Sequence, residues 1–164
     1  MISLRISNVK HFMSELLVNS AFDNMLVSEI SISTYSNFIL DGHINKSYYS
    51  QEELDSLENQ MLVPWKKLKS ICYDLIKGKK LPLKMKIIFF LPDSEVNQIL
   101  VKSEARIADK NIVGLCLNVK YENNILTCTT GTSLNIFTID KSLENYFDNF
   151  VRKLLLSDFN AEEL

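Results

Sequence analysis

Glycine and proline are scarce, with four and three residues in a chain of 164. Such a chain has few places for positive-φ turns or rigid hinges, and no Gly-, Pro- or Ser-rich stretch marks a linker. One domain over residues 1–164 is the expectation. Cysteine is sparse as well: Cys72, Cys116 and Cys128 are odd in number, widely spaced and set among apolar neighbours. They read as buried thiols, which excludes a disulfide framework. Neither they nor the two histidines, His11 and His43, have metal-ligand spacing, so no metal and no other cofactor is expected. No apolar run approaches the roughly 20 residues that span a bilayer. Met1 leads into Ile2-Ser3-Leu4 without the charged start of a secretory leader. The expectation is a cytoplasmic protein with no membrane partner. Net charge is nearly absent too, since 18 basic and 20 acidic residues leave −2. By itself that total argues for no charged partner.

What is present is periodicity. Ile2 to Ile6 alternates as a short strand, and Val9, Phe12, Met13, Leu16 and Leu17 then fall on one face of a helix behind Ser7 or Asn8. Met25 to Tyr35 and Phe38 to His43 read as two antiparallel strands around Ser36-Asn37, the first with Leu26, Ile30 and Ile32 inward. Ser50 to Glu53 has capping-box spacing for a short helix. Pro64 opens a helix carrying Trp65, Leu68, Ile71, Cys72, Leu75 and Ile76, which Gly78 ends. Leu83 to Leu91 is a strand, and Asp93 or Ser94 caps a helix through Val96 and Ile99. A three-strand meander follows, turning at Asn123-Asn124 and again at Gly131-Thr132, with its third strand over Leu134–Ile139. The last helix holds Leu143, Tyr146, Phe147, Phe150, Val151, Leu154 and Leu155 in one stripe, which must pack on a sheet or on a partner. Residues 157–164 read as a frayed acidic tail, in which Phe159 and Leu164 are left over as a docking peptide. The order β-α-β-β-(α)-α-β-α-β-β-β-α gives an α+β fold, a mostly antiparallel sheet covered by helices.

The near-zero charge conceals a strong asymmetry. Lys66 to Lys86 contains eight lysines and one acid, Asp74, a net +7, so the rest of the chain carries −9. On the helix, Lys66, Lys67, Lys69, Tyr73 and Lys77 lie opposite the apolar stripe, and Lys79 and Lys80 add a basic corner at its end. Such a surface suits a polyanion, and Tyr73 offers a stacking ring for a single strand. The same lysines also solvate a helix face, and no arginine stands among them for bidentate contacts.

Two other constellations carry chemistry-bearing residues. Asp41-Gly42-His43 puts a carboxylate and an imidazole two residues apart on a strand, a pair able to orient a general base but with no nucleophile specified. Thr127 to Ser133 is rich in hydroxyls around Gly131, yet it lacks the Gly-Lys-Ser/Thr ending of a phosphate loop, and strand threonine is ordinary usage.

Four segments carry a family likeness: Ile6-Ser7-Asn8-Val9-Lys10-His11-Phe12-Met13, Asp41-Gly42-His43-Ile44, Trp65-Lys66-Lys67-Leu68 and Leu126 to Leu134. They resemble an uncharacterised family of about this length in Gram-positive bacteria, known as a domain of unknown function. The resemblance covers nearly the whole chain and implies a free-standing cytoplasmic domain without naming an activity. In pattern alone, strand, helix, strands and then Val63 to Cys72 opening a second helix is similar to one domain of a DNA sliding clamp. In that family two such halves form a domain, and lysines and arginines on its helices contact phosphates nonspecifically. The likeness implies those roles for Lys10, Lys66, Lys69, Tyr73 and Lys77. The segment Val96 to Asn111, the added C-terminal helix and a length of one clamp domain depart from it.

The sequence therefore leads to a non-enzymatic binding or assembly module with a lysine-rich face for a nucleic acid or an acidic protein. The alternatives are a small enzyme using Asp41 and His43 with a hydroxyl from Thr127 to Ser133, and a homo-oligomer built on the C-terminal helix stripe.

Overall fold

Alternation of apolar and polar residues, met in strand after strand, resolves into one antiparallel sheet with two unlike faces. The computed structural model describes every residue from Met1 to Leu164. In chain order the elements are β1 (Ser3–Ile6), α1 (Val9–Leu17), β2 (Leu26–Ser33), β3 (Asn37–Asp41), α2 (Gln51–Ser56), β4 (Val63–Pro64), α3 (Trp65–Ile76), β5 (Lys84–Phe90), α4 (Asp93–Ser103), β6 (Ile112–Glu122), β7 (Ile125–Leu134), α5 (Ser142–Phe159) and β8 (Ala161–Glu163). The strands lie in the order β3-β2-β5-β6-β7-β1-β8, with β4 also paired to β2. Every pairing is antiparallel. The fold is α+β, as the run of elements implied.

One face of the sheet is apolar. Leu4 and Ile6 of β1, Leu126 and Cys128 of β7, Leu117, Val119 and Tyr121 of β6, and Met85, Ile87 and Phe89 of β5 stand on it in register and are buried. α1, α3 and α5 cover it. Phe12 of α1 meets Phe159 of α5 edge-on, and Phe22 stacks on Phe89. Trp65 of α3 meets Phe89 edge-on while its indole N–H donates to the Leu16 carbonyl at 2.7 Å. Thirty buried residues form one continuous apolar core. Each large side chain fully buried there contributes about 1.5–3 kcal/mol. The opposite face carries a polar row: Ser31, Lys86, Lys120, Thr127 and Arg5 stand side by side across it.

Several local features differ from the sequence reading, each for a physical reason. A bulge between Val27 and Glu29 shifts the alternation of β2, so that Val27 is buried with Ile30 and Ile32 in place of Leu26. β7 runs straight through Gly131-Thr132, and Leu134–Ile139 forms no third strand. A Cβ at Gly131 would stand 2.6 Å from Cys116 Sγ, so this glycine serves a close approach between neighbouring strands and not a turn. Residues 157–164 are not a frayed tail: α5 continues to a buried Phe159, and β8 pairs with β1. Phe159 thus belongs to the core and only Leu164 is left exposed. The α5 stripe is largely consumed within its own chain, with Leu143, Phe147, Val151 and Leu155 buried and Phe150 and Leu154 half-exposed. On the same helix, buried Asp148 accepts the Thr130 hydroxyl and the Met1 amino group, which satisfies its charge.

Candidate polyanion-binding surface

Helical periodicity decides what each lysine of α3 can do. Trp65, Leu68, Cys72, Leu75 and Ile76 turn toward the core, which leaves Lys66, Ser70, Tyr73 and Lys77 along one outward stripe. Lys67, Ile71 and Asp74 lie beside it on the flank away from α1. Lys69 sits at the boundary facing α1, where its ammonium reaches Asp23 Oδ1 at 2.6 Å and the Asn19 carbonyl at 2.8 Å. That ion pair is largely shielded from solvent and ties α3 to the connection after α1.

The remaining lysines divide into two groups. Lys77 pairs with Asp74 at 3.0 Å, and this carboxylate raises the lysine above its ordinary value. Lys84 and Lys86 belong to β5 and project from the opposite, open face of the sheet, where they meet Glu122 at 2.7 Å and Glu29 at 3.6 Å. Lys66, Lys67, Lys79 and Lys80 have no carboxylate within 4.0 Å. Lys67 instead stands over the Tyr49 ring, 5.6 Å from its centroid. Tyr73 is 43% exposed in the middle of this surface. Lys66, Tyr73 and Lys77 thus share the outward side of α3, Lys79 and Lys80 are exposed in the connection that follows it, and Lys84 and Lys86 stand apart on the far face of the sheet. Lys10 is exposed on α1, the helix that packs beside α3.

Asp41 and His43 form a tight exposed pair. Oδ1 of Asp41 accepts the His43 backbone N–H at 2.9 Å and lies 2.6 Å from its Nδ1. These two hydrogen bonds, the backbone one foremost, hold the carboxyl below its ordinary value. No third side chain joins them, and both are more than half exposed at the end of β3. What the motif does for the fold is carried by Gly42, where a Cβ would come 1.8 Å from the Val27 carbonyl oxygen. A shallow groove of about 270 Å³ lies farther along, between Ile44–Lys46 and the α2 segment up to Met61, and includes neither Asp41 nor His43.

The hydroxyls of Thr127 to Ser133 are split by strand alternation: Thr130 turns inward to Asp148, and Thr127 and Thr129 face outward. They line no common cavity with Asp41 and His43, since β7 and β3 are separated by β6, β5 and β2. All three cysteines are free thiols, and burial pushes Cys72 and Cys128 up to about 12.

Asp23 and Tyr49 went unread in the sequence because their partners Lys69 and Lys67 are distant in the chain, and no local spacing announces them. The basic row of Arg5, Lys86 and Lys120 on the open face was accessible in principle, since each follows from strand alternation once the register is known.

A family model matches residues 15–160, and it describes a family of unknown function, DUF5721. The chain belongs to the DUF5721 family. The likeness read from Asp41–Ile44, Trp65–Leu68 and Leu126–Leu134 falls within the matched span, which begins inside α1 and leaves β1 and Lys10 outside it. No curated protein matches the chain, and no solved structure does.

Proposed function

We propose that this DUF5721 chain is a binding module, without catalytic chemistry of its own, whose α3 surface engages the phosphate backbone of a nucleic acid. The observation that carries the reading is that Lys66 on α3 and Lys79 and Lys80 in the connection after it are exposed ammonium groups without a carboxylate partner, on the element that also exposes nearly half of Tyr73. Unpartnered ammonium groups release counterions when they meet phosphates, and a ring among them adds stacking for unpaired bases. Lys67 and Lys77 border the surface. Lys69 acts as a structural tie.

A clamp-like arrangement is part of this proposal. What supports it is the repeated unit β1-α1-β2 and β4-α3-β5, whose closing strands β2 and β5 pair antiparallel while α1 and α3 pack together on one face. That layout sets Lys10 and the α3 stripe on the same outer layer. We place the protein in a reducing compartment, the cytoplasm, on the strength of its three free thiols. No helix of the structure is long and apolar enough to cross a membrane.

Fluorescence anisotropy with labelled single-stranded and duplex DNA tests the reading. The expected result is sequence-independent binding whose logarithm falls linearly with log salt, with a slope of about −0.7 to −0.9 per phosphate contact. Lys66→Glu, Lys79→Glu and Lys80→Glu should each weaken it on every sequence alike, and Lys84→Glu should not. Absence of binding at low salt overturns the nucleic-acid reading. Capture of a polyglutamate probe in its place would assign the surface to an acidic protein.

A further inference from the structure

The two edges of the sheet are built differently. At one end β8 is three residues long and carries Glu162 and Glu163. Short length and charge are the usual protections of an exposed strand. At the other end β3 is Asn37-Phe38-Ile39-Leu40-Asp41, paired to β2 without a bulge, and it contains no lysine and no proline. Ile39 at its centre is 76% exposed.

The direction of its backbone groups follows from the bonds at both ends. Gly42 N–H donates to the Ser28 carbonyl, whereas the Ser33 carbonyl accepts from Leu83 on the β5 side. With Ser33, and hence Ser31, turned to β5, it is Ile30 and Ile32 that bond to Leu40 and Phe38. The N–H and C=O groups of Asn37, Ile39 and Asp41 therefore point away from the sheet with nothing opposite them.

We infer that β3 pairs with β3 of a second copy of this chain, antiparallel about a two-fold axis at Ile39. In that register Asn37 lies opposite Asp41 of the second copy and Ile39 opposite its own mate. All three outward-facing residues of each copy are used, whereas a shift in either direction uses only two. No like charges meet, because the one charged residue of the strand faces an asparagine. Ile39 covers Ile39 on the open face, and Phe38 and Leu40, half-buried in the single chain, cover one another's mates on the helical face. Tyr35, 88% exposed and edge-on to Phe38, stands at the end of the strand where the second copy carries its Asp41–His43 turn. An axis through the sheet keeps both α3 layers on one side, but the pairing does not depend on what α3 binds.

Sedimentation equilibrium of the full chain should show a concentration-dependent monomer–dimer equilibrium, and Ile39→Lys should abolish it while leaving unchanged the urea midpoint read at a concentration where the wild-type chain is monomeric. In a Cys116→Ser background, Ile39→Cys should cross-link to itself under mild oxidation. Its Cα atoms would lie about 5.5 Å apart, within disulfide reach. Asn37→Cys should not cross-link, since its mates stand about 13 Å apart at ~3.3 Å per residue. The double variant Asn37→Cys, Asp41→Cys should. A wild-type chain that stays monomeric at the highest attainable concentration overturns the inference. So does cross-linking of Asn37→Cys as fast as Ile39→Cys.

Discussion

Lys69 Nζ stands 2.6 Å from Asp23 Oδ1, across the gap between α3 and the connection that follows α1. A helix face that reads as uniformly basic is thereby divided into one structural lysine and several free ones. Lys69→Ala leaves a shielded carboxylate and the Asn19 carbonyl without their donor, at about 1–3 kcal/mol. Urea denaturation should show that loss, with the salt slope of polyanion binding nearly unchanged once the variant is folded. Lys66→Ala should do the reverse, keeping the urea midpoint and reducing the slope by about one contact.

The Asp41-Gly42-His43 turn separates a structural from a chemical role in another way. A Cβ at Gly42 would collide with the Val27 carbonyl, a backbone atom that cannot swing aside. Gly42→Ala should therefore cost about 2–4 kcal/mol through displacement of β2 or β3. His43→Ala, at an exposed site, should stay within about 0.5 kcal/mol. Thermal melts of the two variants check this, and equal midpoints would remove the steric account.

Helices were the most legible part of this sequence, because Phe12, Leu16, Cys72, Phe147 and Val151 repeat at a spacing that only a helix turns to one side. Strand boundaries were less so. Gly131 beside hydroxyl residues has the composition of a turn, and only the Sγ of Cys116 on the neighbouring strand shows why a glycine is needed in a continuous β7. The C-terminal residues looked polar enough to fray, since nothing local to them records that β1 offers an edge. The basic surface was legible as composition but not as geometry: alternation sends Lys84 and Lys86 to the far face of the sheet, and Asp23 claims Lys69 from 46 residues away.

On the open face, Glu122 lies between Lys120 at 2.8 Å and Lys84 at 2.7 Å. Their hydrogen bonds, Lys120 first, lower its carboxyl from 4.5 to about 2. A carboxyl lowered on folding supports the folded state above its ordinary value and loses that support as pH falls through the lowered one. The contribution of Glu122 should therefore disappear between about 4.5 and 2. Glu122→Gln should flatten the acid limb of stability in that window, as read by urea midpoints at stepped pH. The difference should shrink in 1 M salt, because exposed charges are screened. An unchanged acid limb would count against the paired-lysine account.

The contact between Gly131 and Cys116 yields a test that needs two residues at once. They face each other across β6 and β7, and a methyl group at Gly131 would stand 2.6 Å from Sγ. Gly131→Ala alone must push the thiol into another rotamer or separate the strands, at about 1–3 kcal/mol. Cys116→Gly alone removes the opposing group and costs strand propensity and a half-buried side chain. In the double variant the alanine occupies the vacated space, so the sum of the single effects should exceed the measured one by about 1 kcal/mol or more. A double-mutant cycle by urea denaturation measures that coupling. Additivity within about 0.3 kcal/mol would mean that the strands relax without cost and that Gly131 is held for some reason other than this contact.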